Sequence, residues 1–204
     1  MKWTDSMCDY VAECLSESGT IKESEKEIYS YCFGFLADLI FYNLSILLIG
    51  TILGNFQAAL LYILIMSPTK MLAGGVHAPT PLICDIVSYG VFLTIMLSVP
   101  QIAPQLPPFL LLSLYFICYI FIILLAPVST KNKRYTEAQK KRLKKYCFLY
   151  LTAISILYLI LFARQMIVCC GVLSACSAII LANQIIGILV NIKEQYYDFE
   201  NSNV

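Results

Sequence analysis

A single histidine, His77, stands in 204 residues, and one of the nine cysteines, Cys84, follows it seven positions on. Between them lies Thr80-Pro81, which predicts a helix start. Threonine is favoured just before the first helical position and proline at it. Cys84 then falls in the first turn, where free N–H groups and the positive end of the dipole favour a thiolate. A cysteine so placed with a histidine nearby is the setting for an activated thiol nucleophile. His77 would take the thiol proton as general base and return it to a leaving amine. Backbone N–H groups around Cys84 are candidate oxyanion donors. Gly74-Gly75, just before the histidine, would let the chain fold back so that His77 reaches the sulfur.

The same residues admit a plainer account, in which Cys84 is a small apolar residue on a membrane helix and His77 sits at a lipid–water boundary. Nine scattered cysteines make a neighbour at this spacing an ordinary coincidence. Asp85 points about 100° away from Cys84 around a helix, so it is a poor third member. No Cys/His cluster has ligand spacing and no phosphate or dinucleotide fingerprint is present, so neither a metal nor a cofactor is expected.

These residues need elements to position them, and composition says which kind. The chain is 59% apolar and 13% charged, with a mean hydropathy of +0.76; soluble domains carry about 25% charged residues. Repeated apolar stretches of roughly 18–25 residues read as an all-α polytopic membrane protein. The alternation of a membrane β-barrel is absent. The cysteines do not suggest a disulfide framework; Cys118, Cys169, Cys170 and Cys176 read as small hydrophobes between helices. No cleavable signal peptide is visible, because residues 1–30 are polar and acidic.

About six transmembrane helices are expected, at 33–53, 56–73, 82–99, 106–126, 146–163 and 166–190. An amphipathic N-terminal helical segment precedes them. In it Trp3, Met7, Tyr10, Val11 and Cys14 share one face, opposite Asp5, Asp9 and Glu13, which suits an interfacial or a packed helix. Thr20-x-x-Glu23 offers a capping box for a second helix. Asp38, one turn into the first span, would snorkel to the surface. Pro68 and Lys70 fall near the end of the second span, where a kink and a snorkelling amine are tolerated. Pro100, Pro104, Pro107 and Pro108 mark a loop, and Arg164-Gln165 a minimal turn. The whole of 1–204 reads as one membrane domain, with 1–30 cytoplasmic or interfacial, 33–190 the bundle and 191–204 a cytoplasmic tail.

Eight of the fourteen basic residues crowd into one short loop: Lys131, Lys133, Arg134, Lys140, Lys141, Arg142, Lys144 and Lys145. The positive-inside rule places that loop in the cytoplasm. An even number of spans then puts both termini and the His77 loop on the same side.

The pattern Lys70…Gly74-Gly75-Val76-His77…Cys84 resembles the AgrB (accessory gene regulator B) family. The likeness extends to the acidic N-terminal segment, the apolar spans and the Ala126-Pro127…Asn132-Lys133 stretch before the basic loop. Family members more often have Arg where Lys70 stands, which costs bidentate donation but keeps the charge. They also usually have a proline near Arg134. The resemblance implies a membrane-embedded cysteine endopeptidase of the bacterial cytoplasmic membrane, with Cys84 and His77 catalytic and Lys70, Gly74 and Gly75 supporting them. It implies a short AgrD-like propeptide as substrate, with an amphipathic leader and an acidic tail. The enzyme would hold the N-terminal part as a thioester on Cys84 until an internal cysteine or serine cyclises it for quorum sensing. Lys131, Lys133, Arg134, Lys140 and Lys141 are candidates to bind the acidic tail. Membrane lipid is the other partner, nucleic acid is not one, and a homodimer stays open. The alternative function is a non-catalytic peptide exporter or membrane scaffold; it would tolerate Cys84→Ser, and a protease would not.

Overall fold

Long apolar stretches punctuated by Gly, Pro and capping residues become helices, because an apolar surround leaves the backbone no other hydrogen-bond partners. The computed structural model describes residues 2–76, 80–129 and 135–202, and of residues 2–6, Pro81 and 194–202 it describes the backbone alone. Every regular element among them is helical: α1 (Lys2–Glu17), α2 (Lys26–Ile52), α3 (Phe56–Ala73), α4 (Pro81–Ile102), α5 (Pro108–Leu125), α6 (Glu137–Ala163) and α7 (Ile167–Ser202), with short 3-10 turns at Glu23–Glu25 and Ala103–Gln105. Six helices are long and apolar enough to cross a membrane, the first spanning Glu23–Ile52 and the last Ile167–Lys193. An all-α polytopic membrane protein with an amphipathic N-terminal helix is therefore the observed class. The chain falls into two units, Met1–Ile49 and Gly50–Val204.

In the first unit α1 is tied to the start of α2 by Lys26 Nζ on Glu13 Oε1 at 3.0 Å and by the Ser30 hydroxyl on Asp9. Among the described side chains of α1, Cys8 and Ala12 are buried, whereas Met7, Tyr10 and Val11 are exposed. At Met7, Tyr10, Val11 and Cys14 the apolar face read from the sequence is thus the outward one, the side chain of Trp3 lying outside the described residues, and small residues one turn apart make the packed stripe. The expected Thr20–Glu23 capping box does not form. Ser16 of α1 takes the Glu23 carboxylate, and Glu25 instead accepts from the Lys22 N–H at 3.2 Å. Capping two residues later lets α2 start at Lys26, a full two turns before the apolar run that was expected to define it.

In the second unit α7 is the hub, packing on α3, α4, α5 and α6. Leu173, Cys176 and Ile180 line its buried face. Tyr62 ties α3 to α4 through the Ser88 carbonyl at 3.2 Å and an edge contact with Phe92, and Tyr150 of α6 donates to the Leu64 carbonyl. Tyr115 and Tyr158 stack at 4.2 Å, their hydroxyls satisfied by Ser155 and Ser174. All of Cys118, Cys169, Cys170 and Cys176 are free and buried, as small hydrophobes between helices should be.

Three further boundaries differ from expectation. Pro100 lies inside α4, which continues to Ile102 rather than ending in a loop; membrane helices accommodate proline because neighbours re-satisfy the freed carbonyl. Residues 137–145 are not loop but the first turns of α6, started by Thr136, whose hydroxyl accepts from the Gln139 N–H while the Gln139 side chain accepts from the Thr136 N–H. Lys, Arg, Gln and Glu are good helix formers, so a cap is all this basic stretch requires. At the other end α7 runs on to Ser202, with no Gly or Pro after Gly187 to stop it. The turn at 164–166 is as short as expected, Gln165 taking φ +58°.

Candidate functional site

Cys84 is where its helix start predicted. Thr80 is extended at φ −131° and ψ 149°, its Oγ1 accepts from the Ile83 N–H at 3.4 Å, and Pro81 occupies the first helical position. The Cys84 N–H closes the first backbone bond, to the Thr80 carbonyl at 3.1 Å. Cys84 is half-exposed, with Leu82, Ile83, Ile86 and Val87 exposed around it. Pro81 has no N–H, and those of Ile83 and Cys84 are engaged by Thr80, so Leu82 carries the first-turn amide not committed to this cap. Asp85 is exposed. His77, with Ala78 and Pro79, lies outside the described residues.

On the other side of the loop, Lys70 sits half-buried in the last turn of α3. It stands one turn before the Gly74-Gly75 pair that ends the helix. Among the described residues no carboxylate pairs with it. Lys70, Gly74 and Gly75 thus lie at the end of α3 and Cys84 at the start of α4, the next helix in the chain.

The two glycines do more than allow a turn. Gly74 ends α3 at φ +72° and forms an isolated parallel bridge with Val128, whose N–H donates to the Ala73 carbonyl at 2.9 Å. A Cβ on Gly74 would lie 2.2 Å from the Val128 carbonyl oxygen, and one on Gly75, at φ +132°, 2.2 Å from Asn183 Nδ2. Both backbone shape and proximity demand glycine here. The extended segment 126–129 after α5 is thus laid against the motif.

That segment also lines an open cleft of about 530 Å³, with Lys140, Lys141 and Lys144 of α6 on one wall and Ile188, Asn191 and Ile192 of α7 on another. Lys140 is shared with Glu137 at 2.8 Å; Asn191 donates to the Ser129 carbonyl, and the Ser129 hydroxyl is buried with no partner among the described residues. Lys131, Lys133 and Arg134 lie outside the described residues. Among those described, no group of three His, Cys, Asp or Glu side chains could hold a metal ion.

Sequence reasoning missed Val128, Asn183 and Gln184. The last is wholly buried on α7, its Nε2 donating to the Ala73 carbonyl at 3.2 Å and the Ile122 carbonyl at 3.3 Å. The signal was present: an Asn-Gln pair in the middle of an apolar span is costly unless it meets partners.

A family model described as AgrB, accessory gene regulator B, matches residues 8–188. The chain is 25% identical over 149 residues to a protein of Clostridium perfringens strain 13 provisionally named AgrB-like protein 2, covering 69% of each chain. It is 25% identical over 169 residues to an AgrB-like protein, also provisionally named, of Clostridium perfringens strain SM101, covering 78% of each. No solved structure gives a significant match.

Proposed function

The chain belongs to the accessory gene regulator B family, which is involved in processing an autoinducer precursor, and from that premise we propose that it is a membrane cysteine endopeptidase with Cys84 as nucleophile and His77 as general base. The observation that carries this reading is the capped helix start at Thr80-Pro81, which puts Cys84 in the first turn of α4. A half-exposed cysteine in the first turn of a helix is open to a substrate and faces the positive end of the dipole, the setting in which thiols serve as nucleophiles.

His77 takes the Cys84 proton, and the thiolate attacks the scissile carbonyl of a short AgrD-like propeptide. The tetrahedral oxyanion is met by the Leu82 N–H and the Lys70 amine. As it collapses, His77 protonates the departing amine and the N-terminal part remains as a thioester. An internal thiol or hydroxyl then displaces Cys84 and closes a thiolactone or lactone ring. The exposed apolar residues around Cys84 suit an amphipathic leader lying in the interface. The lysine-walled cleft, joined to the motif through Val128, suits an acidic tail.

The test is co-expression with the short open reading frame nearest the gene that has a leader–cysteine–acidic-tail layout. Cys84→Ala and His77→Ala should each abolish cleavage, a loss of more than a hundredfold, while the protein still accumulates in the membrane. Cys169→Ala should cleave at close to the normal rate, because that thiol is buried among helices. Cleavage surviving in Cys84→Ser would leave a peptide exporter as the better reading.

A further inference from the structure

We propose that Gln184 is a positioning residue for this reaction: its buried amide fastens the ends of α3 and α5 to α7 and so fixes the Gly74–Val76 entry to the loop that carries His77. The inference rests on the cysteine–histidine reading above for its functional consequence, and on geometry for the rest.

The last carbonyls of a helix have no partner within it. Ala73, the last residue of α3, offers its carbonyl to two donors, the Val128 N–H at 2.9 Å and Gln184 Nε2 at 3.2 Å. Ile122, in the last turn of α5, likewise receives the Ala126 N–H at 2.9 Å and Gln184 Nε2 at 3.3 Å. Both partners are carbonyls, so the amide nitrogen is the end that must face them. One side chain therefore bridges two helix ends, and the segment leaving α5 is the one that pairs with Gly74.

The same face of α7 forms the floor of the motif. Asn183 Nδ2 occupies the space a Gly75 Cβ would need, and a Cβ on Gly187 would lie 3.4 Å from both Gly75 Cα and the Val76 nitrogen. A side chain kept for stability alone would not look like this one. Gln184 is fully buried in an apolar bundle and its Oε1 has no partner among the described residues. An orphaned acceptor in a low dielectric costs more than a well-packed apolar residue would. What the amide supplies that an apolar residue cannot is a fixed register between three chain segments at the mouth of the site.

The test uses the full chain in detergent as wild type, Gln184→Met, Gln184→Glu and His77→Ala. Gln184→Met keeps the volume and removes both donors. Gln184→Glu keeps the shape and, protonated, donates one bond, so it should lie between Met and wild type and serves if Gln184→Met does not fold. Hydrogen exchange read by mass spectrometry should quicken about tenfold at Gly74–Val76 and Val128 in Gln184→Met, with the middle of α3 and α7 unchanged. The pH profile of Cys84 alkylation by iodoacetamide should move toward that of His77→Ala. Unchanged exchange at Gly74–Val76 would overturn the proposal. So would exchange quickened throughout the bundle with the Cys84 profile unmoved, which is what mere loss of packing gives. If wild type and His77→Ala share one profile, the cysteine–histidine reading falls by itself. Localised exchange at Gly74–Val76 then still supports the hold exerted by Gln184, and its absence still overturns it.

Discussion

At Gly75 one methyl group decides whether the motif closes. Its φ of +132° is territory an L side chain rarely enters, and an added Cβ would meet Asn183 Nδ2 at 2.2 Å. Backbone strain of this kind costs about 1–3 kcal/mol, and the overlap adds to it unless α7 withdraws. Gly75→Ala should therefore cut propeptide cleavage at least tenfold while leaving protein in the membrane. Removing the overlap with Asn183→Ala in the same chain should restore part of the activity and no more, since φ is unchanged. Gly90→Ala is the control, because a Cβ there meets nothing within 4 Å. Cleavage by Gly75→Ala at the wild-type rate would show that the loop does not need this geometry. The glycine pair was legible as a turn, but its real constraint was not. That constraint comes from Val128, 54 positions beyond Gly74, and Asn183, 108 beyond Gly75, and no local pattern carries it.

A helix start is a local event, and for that reason it was readable. Thr80-Pro81 specified α4 because the cap, the proline and the first backbone bond all lie within five residues. The bond from the Ile83 N–H to Thr80 Oγ1 is long, at 3.4 Å, which places its worth toward the lower end of the ~0.5–2 kcal/mol typical of such caps. Thr80→Ala should lower the melting temperature only slightly but slow Cys84 alkylation at neutral pH severalfold, as the first turn frays around the sulfur. Thr80→Ser should behave like wild type. Equal alkylation rates in Thr80→Ala and wild type would show that the cap does not set the thiol's surroundings. The start of α6 obeys the same chemistry at Thr136 and Gln139, yet it escaped notice, because spans were sought by apolarity and seven of the nine positions after this cap are charged or polar. The extension of α7 past Asn191 escaped for the same reason. Apolarity marks the part of a helix that lies in lipid, while capping and propensity set where it begins and ends.

For the whole molecule, the six spans were legible because each had to be apolar over its membrane-crossing length. What was not legible is how the helices pack, since lipid and protein interior are equally apolar and the choice of buried face falls to small and polar residues. Cys8 and Ala12 on α1, and Ser174, Ser177 and Gln184 on α7, mark those faces. Sidedness follows from charge rather than packing. Lys140, Lys141, Arg142, Lys144 and Lys145 stand on the first turns of α6, and translocating such a cluster is opposed in proportion to its Lys and Arg content. With that end held inside, as the charge pattern leads us to expect, α6 would emerge at Arg164–Gln165 on the outer face and α7 would return. Counting back through α5 and α4 would then put the loop between α3 and α4 inside too, where a newly made peptide arrives. A cytoplasmic reporter fused after Lys145 should be active, one fused after Gln165 inactive, and an extracytoplasmic reporter should give the reverse. Changing Lys140, Lys141, Lys144 and Lys145 together to Gln should weaken that bias and yield a mixed signal at Gln165. A reporter at Lys145 found outside would place the motif loop outside as well, and a cytoplasmic peptide could then no longer be its substrate.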